Sequence, residues 1–272
     1  MADFLEQMAD ASRERVKALS PEWDVTKLDR PIVPLALDRF DLIAEIKNHS
    51  PAEGQLAAAD EDRAVRAKSY AKAGAAAISV LTEPDRFAGS LEHLEEVVDA
   101  VTEFRTPVMR KDFLVDPRQV IEARACGASG VLLITAIVDD AVLDAMLKTA
   151  YELGMFVLLE SFDSDDIVRS RSLLDDNEHA DRAAARQLLF GINTRNLRSL
   201  EVDPDRLERL APALPELVTA VAESGLKGPA DTARVAAQGY AMGLVGTALM
   251  RSDDPGELVK QMLTAGRQER GA

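Results

Sequence analysis

Several residues able to move protons or bind anions stand at the ends of short apolar runs of the sequence. They are Glu45, Lys47, Lys111, Glu160, Asn193, Arg195 and Glu223. An ionisable group at the tip of an apolar strand loses hydration unless it is paired, which shifts its pKa and favours acid–base chemistry. Lys111 and Glu160 are the strongest single candidates for such roles. Each charge alone could equally be a structural ion pair, so their function depends on whether the fold brings them together.

Small residues at the ends of the last two runs predict an anion site. Ser224-Gly225 and Gly246-Thr247 would allow backbone N–H groups to approach a phosphate closely. Helix N-termini that follow such turns add a favourable dipole. Tight turns also need glycine, so neither pair is specific by itself.

The apolar runs have the length and composition of strands buried on both faces. They cover residues 41–46, 76–81, 106–111, 130–134, 155–160, 188–193, 217–223 and 241–246. Continuous apolar runs of this length are typical of parallel sheets. Amphipathic stretches predict helices at 62–74, 91–104, 117–127, 140–154 and 230–240. Several of these stretches end in glycine, a common helix stop.

Strand followed by helix, repeated eight times, predicts an α/β protein with a single (β/α)₈ TIM barrel. We expect the barrel over residues 41–272 and an N-terminal helical extension, residues 1–40, packed on it. Right-handed crossovers place all strand C-termini on one face, where the candidate residues would meet. Residues 175–187 lengthen the connection between the fifth and sixth strands, and we interpret them as a solvated helix extension rather than a lid.

Composition limits the classes of partner. The 272 residues carry a formal net charge of -15, which disfavours nucleic acid and anionic membrane surfaces. The N-terminus lacks an apolar signal region, and no apolar run approaches the roughly 18 residues of a membrane span. We therefore expect a cytoplasmic protein, with a site that supplies positive charge locally if its substrate is anionic.

Cysteine and histidine usage gives no sign of a metal site. Cys126 is the one cysteine and lies in an apolar helical pattern, so we interpret it as core rather than as a nucleophile. His49, His93 and His179 are widely spaced and form no ligand pattern. The expected metal content is therefore none.

Six stretches of the chain carry a specific combination of motifs. They are IAEIKNHSPAEG (43–54), ISVLTEPDRFAGSLEHL (78–94), PVMRKDFLVDPRQVIEARACGASGVLLI (107–134), GINTRN (191–196), ESGL (223–226) and LVGTALMRSDDP (244–255). In this order they resemble the indole-3-glycerol phosphate synthase family. The resemblance extends over about residues 41–265, nearly the whole predicted barrel.

The resemblance implies a reaction that needs no cofactor. Its substrate would be 1-(2-carboxyphenylamino)-1-deoxyribulose 5-phosphate, a phosphorylated small molecule. The ring carbon that bears the carboxylate attacks the keto carbon, and loss of CO₂ and water gives indole-3-glycerol phosphate on the route to tryptophan. A monomer would be ordinary for the family.

The resemblance also implies residue roles. Lys111 would protonate the keto oxygen, Lys47 would pair with the substrate carboxylate, and Glu160 would act as a base or stabilise a positive intermediate; which lysine is the acid in each step stays open. Glu45, Asn193, Glu223 and Arg195 would position these groups and the substrate. The implied phosphate and sugar ligands are Ser50, Ser224, Gly225, Gly246 and Thr247. The implied apolar substrate contacts are Phe87, Phe113, Leu132, Ile134, Leu197, Leu200 and Val245.

One departure from the family pattern lies beside the implied phosphate ligands. The usual Ser-Pro-Ser motif reads Ser50-Pro51-Ala52 here, and Glu53 follows. This loses one hydroxyl and adds a carboxylate, which would weaken phosphate binding or only change the loop. The alternatives are a paralogue in another indole-derived pathway, another phosphate-binding barrel, and a catalytically silent barrel that acts as a binding partner.

Overall fold

Eight parallel strands pair in chain order among the described residues and close into a barrel. The computed structural model describes residues 3–20, 28–51, 53–56, 62–198 and 201–271. The strands are β1 Asp41–Ile46, β2 Ala77–Leu81, β3 Val108–Lys111, β4 Gly130–Ile134, β5 Phe156–Ser161, β6 Leu188–Asn193, β7 Thr219–Glu223 and β8 Met242–Val245. In β1, Ile43 pairs with Leu244 of β8 on one side and Ala77 of β2 on the other. The predicted barrel is confirmed, with every strand within two residues of its predicted bounds.

Helices alternate with the strands and form the outer layer. They are α1 Phe4–Val16, α2 Arg63–Lys72, α3 Pro84–Phe87, α4 Leu91–Val101, α5 Pro117–Ala125, α6 Asp140–Glu152, α7 Ser164–Ser172, α8 Asn177–Ala184, α9 Arg206–Leu210, α10 Pro229–Ala237, α11 Thr247–Met250 and α12 Pro255–Gly271. Asp62, Ser90, Asp116, Asp139 and Asp163 each cap a helix by accepting a backbone N–H bond. The predicted helices are confirmed, and their ends differ by at most three residues because the predicted ranges included the turns that follow.

Side chains of the strands alternate between the barrel interior and the layer of helices. Ile43, Met109, Leu158, Val221 and Met242 point inward and pack together. Their neighbours along each strand pack outward against the helices. Because side chains of a strand repeat every two residues, the residue two positions after each inward residue also faces inward. By this rule, the polar residues at the C-terminal ends of these strands also face the interior.

Helix α1 lies across the C-terminal face of the barrel. Its Leu5 and Met8 are buried in the same apolar cluster as Phe113. Arg15 forms an ion pair with Asp112, with Nη2 and Oδ1 2.6 Å apart. The segment before the barrel therefore contacts the face where the strands end.

The last part of the N-terminal segment crosses the opposite end of the barrel. The Val33 N–H donates to Ser129 Oγ just before β4, at 3.0 Å. Leu35 and Leu37 pack against the interior cluster. Residues 28–40 thus cover the N-terminal ends of the strands.

The inserted residues 175–187 form helix α8 beside α6. Its His179 is 1% exposed, 3.2 Å from the Tyr151 hydroxyl and 3.0 Å from Asp144 Oδ1. Asp144, Asp176 and His179 come together in a way that their spacing did not predict. The Lys148 ammonium lies 2.9 Å from Asp144 and 3.9 Å from Asp176, so a cation of the chain already pairs with both carboxylates. The expected helix is found, but one face is buried rather than solvated.

Two further expectations concern burial and membranes. Cys126 lies in the core, and burial raises the pKa of its thiol to about 12. It is therefore a poor nucleophile at neutral pH. No described helix is long and apolar enough to cross a membrane.

Candidate active site

A cavity of about 660 Å³ opens at the C-terminal ends of the strands. It is lined by most of the predicted site residues: Glu45, Lys47, Ser50, Phe87, Lys111, Phe113, Leu132, Ile134, Asn193, Arg195, Leu197, Glu223, Ser224, Gly225, Gly246 and Thr247. Glu160 lies beneath this lining, is completely buried, and contacts it through Lys111. Residue 200, predicted as a substrate contact, lies outside the described residues.

The alternation of strand side chains explains why these residues meet. Lys111 stands two positions after the inward Met109, Glu160 two after Leu158, and Glu223 two after Val221. The charged groups therefore continue the interior rows of the barrel to its mouth. Apolar residues fill the rows below and keep water from the bases of these side chains.

Two lysines and two glutamates form ion pairs at the mouth. Lys47 Nζ lies 2.6 Å from Glu45 Oε1, and Lys111 Nζ lies 3.7 Å from Glu160 Oε2. Asn193 Nδ2 donates to the same Glu160 oxygen at 3.2 Å. The second oxygen, Glu160 Oε1, has no hydrogen-bond partner among the described residues. Glu160 also lies beside Glu223, whose carboxyl group donates a hydrogen bond to it when that group is protonated.

Neighbouring carboxylates keep Lys111 protonated. Burial alone would lower the pKa of Lys111, but the negative charges of Glu160, Glu45 and Glu223 outweigh it and raise the pKa well above its usual value. The ammonium therefore persists across neutral and mildly alkaline pH. This gives the site a proton donor at its centre.

The glutamates beside it differ in protonation. Burial raises the pKa of Glu45, but Lys47 and Lys111 outweigh this and leave that pKa below its usual value. Burial and the neighbouring charge of Glu160 raise the pKa of Glu223 well above its usual value. One buried glutamate is thus held as an anion and another is biased towards the neutral acid, which gives two carboxyl groups different chemistry.

Two glycines leave room for these carboxylates. A Cβ atom on Gly246 would collide with Glu45, and a Cβ atom on Gly191 would collide with Glu223. Both glycines face the interior of the barrel beside a carboxylate. Gly191 of β6 and Gly246 after β8 therefore leave the space that the carboxylates of Glu223 and Glu45 occupy.

Apolar and aromatic side chains form one wall of the cavity. Phe113 lies between Phe87, a tilted ring at 6.1 Å between centroids, and Phe4 of α1, which meets it edge-on at 6.3 Å. Leu132 and Ile134 of β4 complete the wall. A flat aromatic ligand would pack against this surface.

Sequence reasoning was wrong about one wall residue and missed others. Val245 packs outward against the helices, and its neighbour Leu244 lines the cavity. Leu244 stands two positions after the inward Met242, so the strand period of two places it on the interior side. Phe4, Leu81 and Arg251 also line the cavity. Phe4 comes from a separate helix, and no strand pattern predicts its place.

Glu83 positions the aromatic Phe87. Its carboxylate accepts hydrogen bonds from the backbone N–H groups of Asp85, Arg86 and Phe87, at 3.0, 2.7 and 3.1 Å. These bonds cap the four-residue helix α3. The side chain is 1% exposed, so water cannot replace it easily.

We expect Glu83→Ala to destabilise the protein by about 0.5–2 kcal/mol, because the cap is lost. Urea unfolding followed by circular dichroism measures this change. Glu152→Ala, at an exposed glutamate ending α6, serves as the control and should change stability by less than about 0.5 kcal/mol. Equal effects of the two variants would mean that the cap contributes nothing.

The far end of the cavity gathers groups suited to an anion. Ser224, Gly225, Gly246 and Thr247 lie there with Arg195 and Arg251. The turn after β7 leads to α10, and the turn after β8 leads directly to α11. Barrels of this kind often bind phosphate after the last two strands. One carboxylate, that of Glu53, also lies at this end, within 3.8 Å of Arg195 and 3.2 Å of Arg251.

Related sequences agree with this geometry. The sequence model of the family "Indole-3-glycerol phosphate synthase" matches residues 34–262. The chain is 44% identical to the indole-3-glycerol phosphate synthase of Parafrankia sp., over 94% of this chain and 91% of that protein. It is 43% identical to the enzyme of that name from Saccharopolyspora erythraea, over 94% and 87% of the two chains.

Solved structures show the same fold at low sequence identity. 3-Hexulose-6-phosphate synthase from Salmonella typhimurium superposes with a TM-score of 0.61 at 14% identity, over 85% of this chain and all of that one. Orotidine 5'-phosphate decarboxylase from Pyrococcus horikoshii gives a TM-score of 0.55 at 14% identity, over 83% and 99%. These likenesses concern the barrel alone, whereas the sequence matches extend to the site. The chain belongs to the indole-3-glycerol phosphate synthase family.

Proposed function

We propose that the chain converts 1-(2-carboxyphenylamino)-1-deoxyribulose 5-phosphate to indole-3-glycerol phosphate, a carbon–carbon lyase step of tryptophan biosynthesis. The observation that carries this proposal is the meeting of Lys47, Lys111 and Glu160 at one barrel mouth, between an aromatic wall and an anion-binding end. Two relatives that bear the name of this enzyme align with this chain over 91% and 87% of their length. A catalytically silent barrel would not need a partly buried ammonium paired with a fully buried carboxylate.

Ring closure needs an acid at the keto oxygen. The ring carbon that bears the carboxylate supplies the electron pair of the new carbon–carbon bond, and the keto oxygen takes a proton from Lys111 Nζ. The positive charge left on the anilino system is discharged when the carboxylate leaves as CO₂. Proton transfer by a positioned side chain contributes roughly 10²–10⁴-fold to the rate.

Dehydration needs a base. Glu160 accepts the ring proton, or stabilises the positive intermediate, while one of the two lysines, Lys47 or Lys111, gives a proton to the hydroxyl, which leaves as water. Its Oε1 atom lacks a hydrogen-bond partner among the described residues, and Asn193 holds Oε2. Lys47 pairs with the substrate carboxylate and Glu45 holds that lysine, 2.6 Å away.

The remaining residues orient the substrate. Phe87, Phe113, Leu132, Ile134 and Leu197 would enclose the anthranilate ring. The phosphate and sugar ligands would be Ser50, Ser224, Gly225, Gly246 and Thr247, with Arg195 and Glu223 beside them. Binding of the remote phosphate helps hold the two reacting carbons in place.

The direct test is product formation by the purified protein. Synthetic substrate should be converted to indole-3-glycerol phosphate, followed by the fluorescence of the indole and confirmed by mass spectrometry. A folded protein that forms no product would contradict the proposal and favour a silent binding partner. Turnover of a different anilino sugar, but not of this one, would favour a paralogue of another indole-derived pathway.

We further propose that the enzyme works as a cytoplasmic monomer, with the N-terminal segment, residues 1–40, as a part of the barrel domain. The contacts of α1 with Phe113 and Asp112 support a single unit, and the charged substrate would be retained by the cell membrane. Sedimentation equilibrium tests the monomer, since a dimer would double the mass from 29.5 kDa.

A further inference from the structure

The carboxylate of Glu53 occupies the anion-binding end of the cavity. Thr247 Oγ1 donates to Glu53 Oε1 at 3.1 Å. Arg251 Nη2 lies 3.2 Å from Glu53 Oε2, and Arg195 Nη2 lies 3.8 Å from Oε1. The hydroxyl and the two guanidinium groups that face this end are therefore already paired with an anion of the chain itself.

Backbone bonds hold Glu53 in this place. Strands of two residues, His49–Ser50 and Gly54–Gln55, pair as an antiparallel hairpin after β1. The Glu53 N–H donates to the Ser50 carbonyl oxygen at 3.2 Å. The hairpin thus carries Ser50, a proposed phosphate ligand, and Glu53 to the same end of the cavity.

A phosphate cannot share these partners with the carboxylate. The proposed phosphate ligands include Thr247, whose hydroxyl Glu53 already occupies, and lie beside Arg195, which pairs with Glu53; like charges at contact distance repel each other. The protein as a whole carries a net charge of -15, so its overall field adds to this repulsion, although Lys227 also lines the cavity. One anion has to leave before the other binds.

We propose that Glu53 blocks the phosphate subsite in the free protein, and that the substrate phosphate binds by displacing this carboxylate. The inference rests on the proposed function, because it takes the bound anion to be the phosphate of the substrate. This displacement weakens the binding of inorganic phosphate more than that of the substrate, because inorganic phosphate has only its own contacts with which to displace Glu53. The substrate adds the contacts of its ring and carboxylate elsewhere in the cavity.

The size of the effect follows from the pairs that are exchanged. Glu53 and Arg195 have side chains about a quarter exposed and Arg251 is more than half exposed, so each ion pair is screened by water. We expect Glu53→Gln to tighten the binding of inorganic phosphate by about three- to tenfold, which corresponds to about 0.7–1.4 kcal/mol. The KM for the phosphorylated substrate should fall by a similar factor, with kcat changed less.

Isothermal titration of wild type and Glu53→Gln with inorganic phosphate, at constant ionic strength, measures the affinity without any turnover. The matched control is Glu216→Gln, at an exposed glutamate at the other end of the barrel. It makes the same change in net charge and should leave the affinity unchanged. Steady-state kinetics on the same proteins measures the KM.

Three results would overturn the inference. Equal phosphate affinities of Glu53→Gln and wild type would mean that the carboxylate does not compete. Weaker binding by Glu53→Gln would mean that Glu53 orients Arg195 or Thr247 for the ligand. An equal gain in Glu216→Gln would reduce the effect to net charge. In each case product formation by wild type would leave the proposed function intact, whereas a lack of both product and phosphate binding would contradict the function as well.

Discussion

Lys111→Ala should lower the rate of product formation in a single turnover by at least about a hundredfold. The substitution removes the proton donor that the site holds charged through Glu160, Glu45 and Glu223. General acid catalysis is worth roughly 10²–10⁴-fold. Rapid mixing of excess enzyme with substrate, followed by indole fluorescence, measures the chemical step apart from product release.

The loss of this ammonium also affects the buried glutamates. Glu160 is completely buried and Lys111 is its ion-pair partner, so Lys111→Ala leaves a carboxylate without compensation and lowers stability. Circular dichroism and urea unfolding should show that the variant is folded at the assay temperature. Lys111→Arg keeps the positive charge, but its larger planar guanidinium holds its protons in proteins and cannot take the place of the compact ammonium, so it should lose activity to a similar degree.

Lys148→Ala supplies the control for a lysine outside the site. Lys148 is on α6, 39% exposed, and pairs with Asp144. Its replacement should leave the single-turnover rate within about twofold of wild type, since surface pairs of this kind contribute little. If Lys111→Arg retained the full rate, a positive charge alone would suffice and the general-acid role would be wrong.

The sequence predicts the catalytic end of this barrel because the site continues the strand pattern. Lys111, Glu160 and Glu223 follow inward residues at a spacing of two, and the closure of the barrel brings the ends of their strands together. The same rule shows why Val245 was misplaced: a shift of one residue moves a side chain from the interior to the outer layer. Counted from a residue that faces inward, the period of two predicts which other side chains of the strand face the interior.

Contacts between distant segments follow no such rule. Phe4 reaches Phe113 because α1 lies across the mouth of the barrel, and nothing in the periodicity of α1 predicts the face on which it docks. Glu53 pairs with Arg251 across 198 positions, and only the folded hairpin after β1 shows that its carboxylate enters the anion-binding end. The burial of one face of α8 depends likewise on its packing beside α6.

Glu160→Gln should lower kcat by about 10²–10³-fold, because an amide cannot accept the proton that the carboxylate takes. It should also move the alkaline limb of the pH–rate profile to lower pH. In wild type the negative charge of Glu160 is the leading cause that raises the pKa of Lys111, while burial lowers it. Without that charge, the effect of burial is offset less, so the pKa of Lys111 falls and the ammonium loses its proton at a lower pH.

The protein should still fold after this change, because the carboxyl group of Glu223 remains near Lys111. Glu160 is a cause of the raised pKa of Glu223, so its neutralisation lowers that pKa and leaves Glu223 as an anion near the ammonium. This anion offsets part of the lost charge, but Glu160 precedes Glu223 among the causes that raise the pKa of Lys111, so the net shift of the limb is still towards lower pH. Glu178→Gln, at an exposed glutamate of α8, is the control and should change neither kcat nor the profile. An alkaline limb that stays in place in Glu160→Gln, with kcat reduced, would mean that the limb reports a group other than Lys111. The shift of the limb thus tests the electrostatic link between acid and base separately from the loss of the base itself.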